Sequence, residues 1–434
     1  MKLNSIVKTP TRLALLCLAG GLIILGILAE NLPWGRGWLH DFTHYLKQKS
    51  TSYTPPDENS PEMAALQKKI DAWYPQILER YPRLKVEYKN VPDDQNGFLE
   101  ILEWQEEVIG QDRWEPMALP SKFDKILTLE NGNALISNEL IAEAQEHLKK
   151  HQNLLARAIK IGLLPEQSIA GVSPNRILPL SLALGKNITD LLKLNALLEA
   201  HNNKSDAAYT TMKAMRGWAL HYLNIETPTL LHSTLGIAIL LNNQSTIHSQ
   251  ITPLLPPNQV NLFEWSKLMR FQNSLQDHWL QMMRGEWNVC LKTIVAEHLL
   301  NDNPVDPIAQ LDSYTAAMAS LTDPKFWSSP KWEGPLPPDK LSRKSSGTYE
   351  MAKLGMSAYA TGYLRSHTIL RQYQIAFALK KLEAEGHDLT KLDSTTLDSL
   401  PTQILPDLRL TIDFKQRQIT APKNKVPDTK RISF

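Results

Sequence analysis

Residues 137–162, SNELIAEAQEHLKKHQNLLARAIKIG, decide the fold class. Leu140, Ile141, Ala144, Leu148, Leu155 and Ile159 recur at three- and four-residue intervals, the spacing that lines side chains along one face of an α-helix. Ser137 stands where a cap is needed, because the first backbone amides of a helix have no partner inside it and a hydroxyl can accept from one of them. Gly162 closes the segment. Across the whole chain, β-branched runs are rare and only 19 glycines occur in 434 residues, while Leu, Ala, Gln, Lys and Glu dominate. The sequence therefore reads as mostly α.

The same period recurs on both sides. Residues 60–81 offer Ser60 as a cap, Pro61 in the first turn, and Met63, Leu66, Ile70, Trp73 and Ile77 on one face. Residues 178–203, 204–224 and 227–243 read as three more helices joined by short polar links, as in antiparallel pairs. Residues 261–300 read as two helices broken near Gly285, and a last long helix runs from 348 toward Gly386. Small residues recur along it at Gly355, Ala358, Gly362 and Ser366, which allows a neighbour to approach closely; its Lys353, Arg365, His367 and Arg371 argue against a membrane span. No fixed repeat period emerges, so we expect an irregular antiparallel helical array rather than a solenoid.

Three regions break the pattern. An irregular insert at 82–133 carries one short strand, suggested by the alternation of Leu84, Val86 and Tyr88. A Pro-rich loop at 321–347 presents Phe326, Trp327 and Trp332, which we expect to pack back onto the body. Residues 408–420, LRLTIDFKQRQIT, read as a small β-hairpin turning near Lys415 and Gln416, and 422–434 as a solvated tail.

The N-terminus sets the expected compartment. Leu13 to Ala29 contains seventeen uncharged residues, which reach roughly 26 Å as a helix, close to the lower limit for crossing a bilayer core. Lys2, Lys8 and Arg12 precede the stretch and only Arg36 follows closely, so residues 1–12 are expected in the cytoplasm and the body outside it. A cleaved signal ending at Ala29 is the alternative. A lipoprotein signal at Cys17 fits poorly, because Leu16 precedes the cysteine and only four apolar residues separate it from Arg12. The expected organisation is thus a transmembrane helix or signal anchor at 13–30, a tether at 31–60, a helical domain at 61–320, the Pro-rich loop, and a long helix plus hairpin at 348–421. Trp34, Trp38, Phe42 and Tyr45 either sit at the exit side of the membrane or begin the folded domain.

Composition narrows the function classes. With 47 basic against 45 acidic residues no global field calls for nucleic acid. The second cysteine, Cys290, has no extracytoplasmic partner for a disulfide, and it sits among Val289, Leu291 and Ile294 as a structural thiol would. Two clusters were weighed for chemistry. Glu139, Glu143, His147 and His151 follow one another at four-residue spacing, yet they lack the HExxH order and adjoin Lys149 and Lys150, so a solvated polar face is the expectation. His278, Glu286, Glu297 and His298 would converge if the helices around Gly285 folded back on each other, giving a hydrolase-like acid-base site; Arg284 and Glu286 pairing locally is the structural alternative. No GxSxG, phosphate loop or dinucleotide fingerprint occurs. The expectation for catalytic, cofactor and metal residues is therefore none.

Residues 369–401, ILRQYQIAFALKKLEAEGHDLTKLDSTTLDSLP, together with TPTLLHSTLGIAILL at 227–241 and MMRGEW at 282–287, resemble an uncharacterised family of single-span, membrane-anchored, mostly helical bacterial envelope proteins. The resemblance runs from about Leu191 to Thr420. It departs from the family at Gly386-His387-Asp388-Leu389, where a Tyr-Pro pair is the pattern. It implies location at the inner membrane with a periplasmic body, and it supplies no activity or site residue. The expected function is a scaffold or interaction module with a protein partner, against the hydrolase-like alternative and a weaker one of peptide or glycan binding among the tryptophans.

Overall fold

The computed structural model describes residues 61–109, 118–128, 137–172, 182–256, 260–271, 274–300, 306–328, 343–405, 408–422, 426, 429 and 431–434. The apolar stretch at 13–30 and the tether at 31–60 lie outside them. Among the described residues no helix is long and apolar enough to cross a membrane.

The chain is mostly helical, as expected. Its principal helices are α1 (Pro61–Arg80), α2 (Gly97–Ile109), α3 (Asn138–Lys150), α4 (Gln152–Gly162), α5 (Leu182–His201), α6 (Ser205–Leu223), α7 (Leu230–Thr246), α8 (Leu262–Met269), α9 (Leu275–Leu300), α10 (Pro307–Leu321) and α11 (Arg343–Ala384). Five short strands follow: β1 (Gln403–Leu405), β2 (Leu408–Arg409), β3 (Thr411–Asp413), β4 (Gln418–Thr420) and β5 (Ile432–Ser433). The chain falls into two compact units, one of residues 61–87 and 276–364 and one of 88–275 and 365–434.

The first unit is held by aromatic side chains. On α1, Leu66, Trp73 and Ile77 are buried, and the Trp73 indole donates to Asp312 Oδ1 on α10 at 2.7 Å. Arg83 donates to the Thr322 carbonyl at 2.9 Å. Trp279, Met282, Met283 and Trp287 fill the buried face of α9. The expected packing of the Pro-rich segment holds for Phe326 and Trp327, which are buried and lie 5.3 and 5.1 Å from the Trp279 ring; Trp332 lies outside the described residues.

The second unit is organised around close helix crossings. A Cβ on Gly217 would lie 1.7 Å from the Gly162 carbonyl oxygen, and one on Gly162 would lie 2.1 Å from that of Ala214. Only glycine lets the backbones of α4 and α6 meet this closely. Helix α7 is buried on nearly every side, and its first turn is closed by Thr229, whose hydroxyl accepts from the His232 amide while His232 Nδ1 accepts from the Thr229 amide. At its end one π-helical turn, Ile247–Ile251, turns two polar residues inward. Gln250 donates to the Leu127 carbonyl and His248 Nε2 to that of Ser433.

A satellite core forms where α11 carries Ile375, Ala376 and Leu379 against Leu389, Leu400, Leu410, Ile419, Ile432 and Phe434. Gly386 ends α11 at φ +88°, with His387 and Gly386 amides donating back to the carbonyls of Leu382 and Glu383. That left-handed turn is cheap for glycine alone.

Several expectations need correction. Within 82–133 the chain forms α2, a thirteen-residue helix burying Phe98, Ile101, Leu102, Trp104 and Val108 at helical spacing. No strand forms at 84–88, because Leu84 is buried in a 3₁₀ turn while Tyr88 is 56% exposed and no neighbouring strand pairs with it. Helix α9 runs unbroken through Gly285; α8 ends instead at Met269, and α9 begins at Leu275. Helix α11 begins at Arg343, ahead of 348. The hairpin pairs Thr411 with Thr420 and Asp413 with Gln418, as read, but the tail is not solvated: β5 pairs Ile432 with Ile419, and Val426 and Phe434 are buried.

Candidate functional site

The structure describes the side chains of the first sequence cluster in full and those of the second in part. Glu139 and Glu143 are exposed on α3, where Glu143 pairs with Lys122 at 2.6 Å. His147 and His151 are half-buried with ring centroids 4.6 Å apart, but α3 ends at Lys150 and His151 takes a non-helical conformation at the cap. Burial pushes the His147 ring below the ordinary histidine range, and the neighbouring His151, Lys150 and Lys122 charges push it further. Among the described residues no three His, Cys, Asp or Glu side chains converge as metal ligands do.

The cluster around Gly285 required a fold-back that α9 does not make. His278 and Glu286 stand eight residues apart on one continuous helix, roughly 12 Å along its axis. His278 is fully buried and its Nδ1 lies 2.5 Å from the Tyr363 hydroxyl. Arg284 donates from Nε to the Arg83 carbonyl at 2.6 Å. The side chains of Cys290, Glu297 and His298 lie outside the described residues.

The polar constellation that the sequence did not announce lies in the second unit, around Glu226 in the α6–α7 connection. This buried carboxylate accepts from the Lys89 amide and the Ser168 hydroxyl through Oε1, both at 2.8 Å, and from the Ile169 amide through Oε2 at 2.9 Å. Ser168 Oγ also lies 2.9 Å from the Lys89 carbonyl and accepts from the Ala170 amide at 3.1 Å. Asn96, itself buried, donates to the Ser168 carbonyl and accepts from the Ser168 and Leu99 amides, the latter at the opening of α2. The Gly97 amide donates to the Glu166 carbonyl at 2.9 Å. Three connections, 88–97, 164–170 and 224–229, are thereby pinned at one point. Burial, and after it the Glu226 charge, raises the Tyr88 phenol above its ordinary value.

Serine, histidine and glutamate are all near, so a nucleophilic triad is the natural question. The geometry answers against it. His221 turns Nε2 onto the Ile161 carbonyl at 2.9 Å and Nδ1 toward Gln167 Oε1 at 3.4 Å, so neither nitrogen takes the Ser168 proton. Burial drives His221 down to about 4, the backbone bond to Ile161 opposing it, and drives His232 down to about 3. Ser168 is 1% exposed and closed to a substrate.

No family model, curated protein or solved structure matches this chain.

Proposed function

We propose that the chain is a single-pass membrane protein whose helical extracytoplasmic body serves as a scaffold or interaction module, of the envelope kind that its C-terminal region resembles. The observation that carries this reading is the bonding of Glu226. An acid that worked on a substrate would stand at a cleft; this one is buried, with both oxygens accepting from two backbone amides and a hydroxyl drawn from separate connections. Asn96 and Ser168 are committed in the same way. Such an arrangement fixes shape, which is what a module presenting a surface to a protein partner requires. The anchoring half of the proposal rests on the apolar stretch at 13–30 and its basic N-terminal flank.

Topology tests it directly. Alkaline phosphatase, which folds only after export, is fused after Phe434, and green fluorescent protein is fused there in parallel. The proposal expects phosphatase activity in the membrane fraction, no fluorescence, and release of the body into the soluble periplasmic fraction when the 13–30 stretch is exchanged for a cleavable signal. Bright fluorescence with inactive phosphatase would overturn it.

A further inference from the structure

Both units bury a tyrosine beside a histidine at the end of a run of aromatic rings, and the two pairs differ in one respect that bears on redox chemistry. In the first unit Trp327 and Trp279 have ring centroids 5.1 Å apart, Trp279 lies 5.7 Å from Tyr363 and 6.0 Å from Tyr359, and the two tyrosines stack at 5.8 Å. All four are buried. In the second unit Trp104, Trp218, Tyr222 and His232 follow at 5.9, 6.4 and 6.3 Å. There the Tyr222 hydroxyl and His232 Nε2 are both buried with no hydrogen-bond partner among the described residues, and His232 Nδ1 is taken by Thr229. The Tyr363 hydroxyl instead lies 2.5 Å from His278 Nδ1, within hydrogen-bond distance.

Losing an electron turns a phenol into a very strong acid, so a buried tyrosine is oxidised at reasonable cost only if a base already holds its proton. Otherwise a cation is left on the ring in an apolar interior. We propose that the first unit is a one-electron relay in which Tyr363 is the terminal donor and His278 its proton acceptor, serving an oxidant of the one-electron class that reacts at the Trp327 edge. The oxidant takes one electron from Trp327, the hole passes through Trp279, and Tyr363 supplies the electron that refills it. As it does so the Tyr363 O–H proton moves to His278 Nδ1, leaving a neutral tyrosyl radical, an imidazolium and the oxidant reduced by one electron. The Trp279 indole donates to the Leu321 carbonyl at 2.9 Å and keeps its proton, so it passes charge without trapping it. Return of one electron from a reductant sends the proton back to the phenolate oxygen. Tyr222, with a near-identical setting and no acceptor, is the internal control.

The full chain is oxidised with flash-generated ruthenium(III) tris(bipyridine), persulfate being the sacrificial acceptor, and the tyrosyl radical is followed by electron paramagnetic resonance and transient absorption. The relay expects one radical component that is lost in Tyr363→Phe, lost in His278→Gln, kept in Tyr222→Phe, and formed at a rate independent of pH between 6 and 8. Near-UV circular dichroism establishes that each variant is folded. Should His278→Gln not fold, Tyr363→Phe and the pH profile decide. An unchanged spectrum in Tyr363→Phe would overturn the proposal. So would a formation rate that climbs with pH, as for a tyrosine losing its proton to water such as the exposed Tyr88.

Discussion

The first unit ties its buried polar atoms mainly through aromatic donors, the second mainly through amides and imidazoles. In residues 61–87 and 276–364 the tryptophans do the tying: Trp73 to Asp312, Trp279 to the Leu321 carbonyl, Trp287 to Thr315. In residues 88–275 and 365–434 one tryptophan does the same, Trp218 to the Ala158 carbonyl, but the buried donors are mostly amides and imidazoles, among them Asn243 to the Met212 carbonyl, Gln244 to Met269, Gln250 to Leu127, Gln372 to Ile419 and His248 to Ser433, with Glu226 accepting from three groups. A large ring brings its own apolar area to the core and asks for one partner. A small polar side chain buries little and contributes by fixing where a distant backbone carbonyl must lie. The second unit is therefore specified residue by residue and breaks at single points, whereas the first is more forgiving.

Substitutions can break or sharpen that contrast. The largest effect is expected for Gly217→Ala, whose new methyl group meets the Gly162 carbonyl oxygen, an atom fixed in backbone. Unfolding in urea should show a loss of about 3 kcal/mol or more, confined to the second unit. Next comes Glu226→Ala, which strands the Lys89 and Ile169 amides and leaves the Ser168 hydroxyl only the Lys89 carbonyl, at a cost of roughly 2 kcal/mol; Glu226→Gln, keeping one carbonyl acceptor, should recover part of it. In the first unit Trp287→Phe removes the bond to Thr315 and a little volume, for about 2 kcal/mol, with the same value at pH 7 and pH 5. Smallest is Lys122→Ala: the Glu143 pair is about half exposed at both ends, and its loss should stay below about 0.5 kcal/mol and vanish in high salt.

The legible part of this molecule was its helices, because a 3.6-residue period needs only local information; α1, α5 to α7 and the hairpin stand close to where the pattern put them, while the single helix expected at 137–162 is two, α3 and α4, meeting at His151. Helix α2 carried the same period in Phe98, Ile101, Leu102, Gln105 and Val108, masked by Trp, Pro and Glu residues on either side. Gly285 looked like a break because an isolated glycine costs a helix about 1 kcal/mol, yet it is flanked by Met283 and Trp287, whose burial outweighs that. The tail was misread because Ile432 and Phe434 gain a place only once β4 exists beside them. Nothing local marks the Glu226 node. Its partners Ser168 and Lys89 lie 58 and 137 residues away, so only the assembled unit brings them together.

Acid separates the two kinds of core most directly. Burial holds His221 at about 4, His232 at about 3 and His248 at about 4, the Lys380 charge adding to the effect at His248, all below the ordinary 6.5. A lowered value in the folded state means that the unfolded chain takes the proton first. Above pH 6.5 neither state binds it and nothing is lost; between 6.5 and the folded value each histidine removes about 1.4 kcal/mol of stability per pH unit. The described part of the first unit buries one histidine, His278. Hydrogen exchange of the full chain, corrected for intrinsic rates and compared between pH 7 and pH 5, should show α6 and α7 losing protection well ahead of α1 and α10. Equal losses, or α1 and α10 opening first, would contradict the account.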